Sequence, residues 1–420
     1  MRKMKDSGIE WIGDVPAEWR IAYPKQLFHP RKERARHDDV MLTASQHHGM
    51  IPQDAFMAKE SYTPVAVEKG HDILKHVEPG DFVISMRSFQ GGLEYSRIRG
   101  KMSSAYLALV SHSDEVDNEY YRWLFKSDRY IQALQSTTNL VRDGQALRFA
   151  NFIQVYLPVP SLVEQGRIAG FLTEKCGDID KAIEAAEASI EEYEAYKRSK
   201  IFLTVTRGIN SEAPLKDSQV EWVGMMPDSW ELRQLGKVAD QTKCPNTGMI
   251  ETNLLSLSYG KVKQRDINAT EGLLPESFEG YNIIEGNDIV LRFTDLQNDQ
   301  KSLRVGRANE RGIITSAYVT IRPFESTDSR YIYYALHSYD LRKGFYGMGA
   351  GVRQGLKWQE AKYILLPWPS ELERNAICDY LDRMTSTVDA SIAEKKSIIE
   401  ELKAYKRSLI CEVVTGKREI

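Results

Sequence analysis

Two stretches of the chain carry apolar residues at alternating spacings of three and four. They are Leu172, Ile179, Ile183, Ala186, Ile190 and Tyr193 in one, and Leu381, Val388, Ile392, Ile399 and Leu402 in the other, where Lys395 interrupts. This is the heptad pattern of a coiled coil, and the intervening EAAEASIEEYEAYKRS and AEKKSIIEELKAYKRS supply charged flanks. Each stretch opens after Leu-Pro-x-Pro-Ser, where each proline biases its predecessor away from helix; Ser161 with Glu164, and Ser370 with Glu373, then fit the S-x-x-E capping box. Gly177 and Asp178, and in the second copy Ser386 and Thr387, predict a break into a short leading helix and a long one. The long pieces, roughly 29 residues each, would span about 43 Å. Lys197, Arg198, Lys200, Lys406 and Arg407 suit the negative helix end, and Gly208 and Gly416 are the expected stops. The alternative is a helix buried against its own globular domain.

Between these stretches the pattern changes to short strands. Glu78-Pro-Gly-Asp-Phe-Val-Ile-Ser and Glu285-Gly-Asn-Asp-Ile-Val-Leu-Arg read as a turn followed by a strand. Ser104-Ala-Tyr-Leu-Ala-Leu-Val and Ser316-Ala-Tyr-Val-Thr-Ile read as second strands, and aromatic-rich helices follow at Tyr120-Tyr-Arg-Trp-Leu-Phe and Tyr331-Ile-Tyr-Tyr-Ala-Leu. Those tyrosines are expected to pack in cores rather than stack on bases.

Every one of these elements occurs twice. DSGIEWIGDVPAEW from Asp6 returns as DSQVEWVGMMPDSW from Asp217, 211 positions on, and LPVPSLVEQ from Leu157 returns as LPWPSELER from Leu366, 209 positions on. Such matching offsets mean duplication, and two similar units usually pack with an approximate two-fold axis, which would set the two long helices antiparallel. Trp11, Trp19, Trp222 and Trp230 read as anchors pinning each opening against a helix end. The predicted fold is α+β: two similar mixed α/β domains joined by two long helices that form an antiparallel coiled coil. The expected boundaries are 1–160, 161–208, 209–369 and 370–420.

Composition narrows the function. The chain is 42% apolar and 27% charged, as in a soluble globular protein, with no apolar run long enough to span a bilayer and no secretory-type leader; a cytoplasmic location is expected. A net charge of −3 argues against coating nucleic acid by bulk charge, so any DNA contact must come from local basic segments. Cys176, Cys244, Cys378 and Cys411 stand far apart without a C-x-x-C pair, and no histidine has metal-helix spacing, so neither a disulfide framework nor a metal site is expected. There is no Walker-type phosphate loop, no Asn-Pro-Pro-aromatic tetrapeptide and no G-x-S-x-G elbow, so catalysis by this chain alone is not expected.

The duplicated order of D-S-G-I-E-W-I-G-x-x-P-x-x-W opening, domain, L-P-x-P-S-x-x-E-Q turn and long helix resembles the specificity subunit of type I restriction-modification systems, over the whole chain. That resemblance implies a non-catalytic, DNA-binding phage-defence protein of bacterial or archaeal cytoplasm. Its two target recognition domains would each read one half of a split, asymmetric site. Its helices would act as a spacer and dock two methyltransferase subunits that carry out adenine DNA methylation, with a restriction and translocase subunit where the system has one. No cofactor is expected in the chain itself; S-adenosylmethionine belongs to the methyltransferase, and ATP and Mg to the restriction subunit. A spacer of about 43 Å corresponds to roughly 13 base pairs. The sequence departs from the family where Pro-Pro-Leu is Pro-Ser-Leu, and where Gln165 becomes Arg374 in the second copy. The rival reading is a coiled-coil scaffold of a DNA-modifying complex that reads no sequence.

Phosphate contacts would come from arginine and lysine on loops, and base discrimination from arginine, asparagine or glutamine reaching the major groove. Repeat-equivalent candidates are Arg142 with Gln145, and Arg353 with Gln354 and Lys357. A second group is Arg87, Gln90, Arg97, Arg99 and Lys101, matched by Arg292, Arg304 and Arg307; a third, Lys261, Lys263 and Arg265, occurs in the second domain only. For each, a solvated loop charge is the alternative.

Overall fold

The computed structural model describes residues 2–46, 48–59, 73–85, 92–112, 114–137, 147–267, 277–299, 302–348 and 355–420. The chain divides into two compact units, Met1–Glu187 with Lys396–Ile420, and Ala188–Lys395.

In the first unit the strands are β1 (Met4–Asp6), β2 (Asp14–Pro16), β3 (Arg20–Ala22), β4 (Phe28–Pro30), β5 (Leu42–Ser45) and β6 (Gly49–Pro52). Helix α1 (Gln53–Lys59) precedes β7 (Lys75–Val77), β8 (Phe82–Ser85), β9 (Glu94–Tyr95), β10 (Gly100–Met102) and β11 (Tyr106–Ser111). Helices α2 (Asn118–Leu124), α3 (Asp128–Ser136) and α4 (Phe149–Phe152) lead to β12 (Leu157–Val159) and the long α5 (Leu162–Arg207). The second unit repeats the series as β13 (Leu215–Asp217), β14 (Met225–Pro227), β15 (Glu231–Gln234), β16 (Ala239–Thr242), β17 (Leu255–Ser258) and β18 (Lys261–Gln264). There follow β19 (Asn282–Ile284), β20 (Ile289–Leu291), β21 (Val305–Arg307), β22 (Gly312–Ile314), β23 (Val319–Pro323), α6 (Ser329–Leu341), α7 (Trp358–Ala361), β24 (Leu365–Trp368) and α8 (Glu371–Val414).

Strand pairing is the same in both units. An antiparallel sheet of order β4-β11-β8-β9 has its counterpart in β16-β23-β20-β21, and the two-stranded pairs β1–β2, β3–β12, β5–β6 and β7–β10 recur as β13–β14, β15–β24, β17–β18 and β19–β22. The expected turn before β8 and β20 is closed by a buried aspartate: Asp81 accepts the Glu78 N–H and Asp288 the Glu285 N–H, at 2.9 and 2.8 Å. A bidentate arginine neutralises each, Arg31 from beyond β4 and Arg322 from β23. The same charge is thus met from different strands in the two copies.

Aromatic rings fill the cores. Phe28, Phe82 and Phe125 meet edge to face in the first unit, as do Tyr331 and Trp368 in the second. Tyr120, Tyr121 and Tyr331 are fully buried, in keeping with a packing role, and their hydroxyls donate to backbone carbonyls. In the first unit Tyr120 bonds the Val414 carbonyl and Tyr121 that of Pro158; in the second, Tyr331 alone reaches both equivalents, Val205 and Pro367.

The long helices differ from expectation in one respect. α5 runs unbroken for 46 residues and α8 for 44, through Gly177–Asp178 and Ser386–Thr387. A helical glycine costs only about 1 kcal/mol, and the flanking Cys176 and Ile179 are buried in the core of the first unit, which outweighs it. Inside each unit the segments of the two helices run antiparallel. Asp180 faces Lys406 while Arg167 reaches the Ile420 carbonyl in the first unit; Tyr193 meets Lys395 and Lys197 meets Asp389 in the second. The heptad residues form the seam: Leu172, Ile179, Leu381, Val388, Ile392 and Ile399 are buried, whereas Ile183, Ala186, Ile190 and Tyr193 are half-buried. Gly208 and Gly416 follow the helix ends in left-handed conformation, as expected of stops.

Candidate nucleic-acid interface

Each repeat opening is bolted to the start of a long helix. The Trp19 indole N–H donates to Glu164 at 2.9 Å and Trp230 to Glu373 at 3.0 Å, while Ser161 and Ser370 each accept the glutamate's backbone N–H at 3.3 Å. The serine half of the capping box therefore forms, and the glutamate carboxylate turns to the tryptophan, with Arg2 joining at Glu164. Trp222 donates to the Leu365 carbonyl, and Trp11 packs against Tyr130.

On this frame the basic candidates among the described residues are distributed unequally. In the first unit Arg97 and Arg99 lie between β9 and β10 and point to different partners. Arg97 bonds Glu119 of α2 at 3.1 Å and lies over Tyr95; Arg99 bonds Asp38 and Asp39 at 2.9 and 3.0 Å. Asp39 also faces the ring of the buried His76, whose other nitrogen meets Glu78, both at 2.6 Å. Lys101 sits half-buried on β10, opposite His76. Arg87, Gln90, Arg142, Gln145, Arg353 and Gln354 lie outside the described residues.

The second unit brings several candidates together. Lys261 and Lys263 on β18 and Arg307 at the end of β21 line one recess of about 430 Å³ with Arg330, Tyr333 and Asp382. Arg307 bonds the amide oxygen of Asn287 at 3.0 Å, and among the described residues no carboxylate pairs with it. Arg330 pairs with Asp379 and Asp382 on α8. Lys261 reaches Asp389 of α8 at 3.3 Å; burial opposes ionisation of that carboxyl, yet Lys197 and Lys261 hold it below its usual range. Arg265 is exposed just beyond β18, and Lys357 is exposed at the start of α7.

Two candidates are claimed by the fold. Arg304 is fully buried, its guanidinium donating to the carbonyls of Arg292, Thr294, Asp295 and Asp299 and to the Tyr346 hydroxyl. It staples the loop after β20 and cannot reach a ligand, a correction to its place among the contact residues. Its backbone N–H donates at 2.6 Å to Asp340, whose carboxyl burial pushes up to about 6. Arg292 is half-buried against Asp299 at 3.2 Å. Sequence reasoning missed Arg330, whose signal was its place beside Tyr331 where the first copy has Glu119. Among the described residues no cluster of histidine, cysteine and carboxylates is placed to hold a metal, and no helix is long and apolar enough to cross a membrane.

An α+β framework built twice around two shared long helices, with basic side chains displayed differently on each copy, defines the class. The chain has the fold of HsdS, the specificity subunit of type I restriction-modification systems. It is similar to a chain solved for the structural basis of complex assembly and conformational transition of the type I R-M system, at 14% identity, covering 96% of this chain and 99% of that one, with a TM-score of 0.67. It is similar also to the HsdS subunit from Thermoanaerobacter tengcongensis, at 14% identity over 96% of this chain and 98% of that one, with a TM-score of 0.54. No protein-family model matches the chain.

Proposed function

We propose that this chain is the DNA-reading specificity subunit of a type I restriction-modification complex, itself without catalytic activity. The observation that carries this reading is one strand framework formed twice, with different basic side chains displayed on each copy. A scaffold has no need of a second, differently decorated domain; a reader of two unlike half-sites does. The two domains would read the two halves of an asymmetric site, and the paired helices would set the interval between them.

The docking of two methyltransferase subunits draws support from the helices. Tyr196 and Tyr405 occupy equivalent places in the two AYKRS segments and are 47% and 48% exposed, one in each unit. An exposed aromatic offered once in each unit at repeat-equivalent positions suits two copies of one partner. That partner would supply S-adenosylmethionine chemistry on adenine, and a restriction subunit, where present, ATP-driven translocation.

Sequencing methylated adenines in a host carrying this chain with its methyltransferase tests the proposal, and a split asymmetric motif is expected. If the affinity of the assembled complex for random duplexes varies by less than about tenfold at fixed salt, sequence reading is ruled out and the scaffold reading stands.

A further inference from the structure

At the tip of the β17–β18 hairpin, Ser258 pairs with Lys261, leaving a two-residue turn, Tyr259-Gly260. Both residues have positive φ, 47° and 75°, the arrangement of a type I′ turn. Glycine, asparagine and aspartate suit the first position; a tyrosine there is held against its backbone preference. Nothing in the core recovers that cost, because the Tyr259 side chain is 81% exposed. An aromatic ring kept in solvent on an unfavourable backbone marks a position retained for contact rather than for stability.

The mounting beneath the ring is rigid. A Cβ on Gly306 of β21 would lie 2.4 Å from Leu257 and 3.1 Å from Val262, so the hairpin lies flush on that strand, and one on Gly260 would meet Leu303 at 3.2 Å. Lys261, two residues from the ring, is tied to Asp389 of α8. The recess beside Gly260 is lined by Lys263, whose side chain has no ion-pair or hydrogen-bond partner among the described residues, and by Arg307, which bonds the neutral Asn287 amide. In the first unit the matching hairpin ladder ends on the pair Ser45 and Gly49, so the two-residue turn belongs to the second unit.

We infer that Tyr259 is a base-contacting probe of the second unit: its ring stacks on, or wedges into, a base step of duplex DNA while Lys263 and Arg307 hold the flanking phosphates. The inference rests on the DNA-reading function proposed above. Duplex DNA is favoured over a protein surface because the turn that carries the ring borders a recess lined by cations suited to phosphate, and base–aromatic stacking is worth about 1–3 kcal/mol per base.

The test uses the full chain with its methyltransferase partner and a duplex recovered by repeated selection from a random pool. Tyr259→Gly should weaken binding to that duplex about tenfold or more, leave the salt dependence of affinity unchanged, and leave thermal stability equal or higher because the unfavourable tyrosine conformation is gone. Tyr259→Phe should bind nearly as the parent does, and Lys263→Ala should lower the salt slope by about one. With 2-aminopurine placed through the half-site, one position should change fluorescence on binding the parent and not Tyr259→Gly. Binding by Tyr259→Gly within about twofold of the parent overturns the inference, as does a Tyr259→Phe loss equal to that of glycine. Loss of the protein partner with DNA affinity intact would make the ring a protein contact, which also overturns it. If the parent selects no sequence at all, the DNA-reading function fails first and takes the probe with it.

Discussion

Duplication lets single residues be compared inside one molecule. The Asp-Ser turn between β1 and β2 puts Gly8 at φ 70°, and its copy between β13 and β14 puts Gln219 at φ 58°. The surroundings match: the Asp6 and Asp217 carboxylates accept the N–H of Gly8 and Gln219 at 2.9 and 3.0 Å. Only the glutamine bears a Cβ in the left-handed region, so Gln219→Gly is expected to stabilise the second unit by about 1 kcal/mol. A urea midpoint of the full chain that falls or stays put would contradict this. The motif made that turn legible, since both copies begin Asp-Ser. The role of Arg304 was not legible, because nothing in Ser-Leu-Arg-Val says that a basic side chain will be consumed by four backbone carbonyls.

At the scale of elements, the two long helices start in the same way but are locked differently. Gln165 donates to the Glu115 and Pro160 carbonyls and accepts the Asp117 N–H, whereas its counterpart Arg374 donates to the Pro369 carbonyl and pairs with the mostly buried Asp328. Asp117, with no arginine to meet, caps α2 through the Glu119 N–H. The departure from Gln to Arg is thus matched by a change in what the nearby aspartate does. Arg374→Gln should cost about 3 kcal/mol, because it strands the Asp328 carboxylate, and adding Asp328→Asn should recover at least about 1 kcal/mol of it. Strict additivity in urea unfolding would sink the idea. The heptad seam and both caps could be read from spacing; the expected break at Gly177 could not stand, because tertiary burial of Cys176 and Ile179 outweighs local propensity. Lys197 and Lys406, expected to serve helix dipoles, instead reach Asp389 and Asp180 on the facing helix.

For the whole molecule, the helices that would set the interval between half-sites belong to both units, each being divided between them near Glu187 and Lys395. Removing residues 184–190 from α5 and the equivalent 393–399 from α8 keeps the heptad register and shortens each helix by about 10.5 Å. We expect the unread interval in the methylated motif to shrink by roughly three base pairs. An unchanged interval would remove the helices from that role. The sequence by itself determined the duplication, the α+β order, the coiled-coil seam and the tryptophan anchors, because these follow from local periodicity, capping chemistry and repetition. Only the tertiary structure decided which charges remain outward. Arg304 vanished into the core, Arg99 into a carboxylate pair, and Lys261, Lys263 and Arg307 gathered in one recess. A charge's availability is set by neighbours distant in the chain, and no local pattern records them.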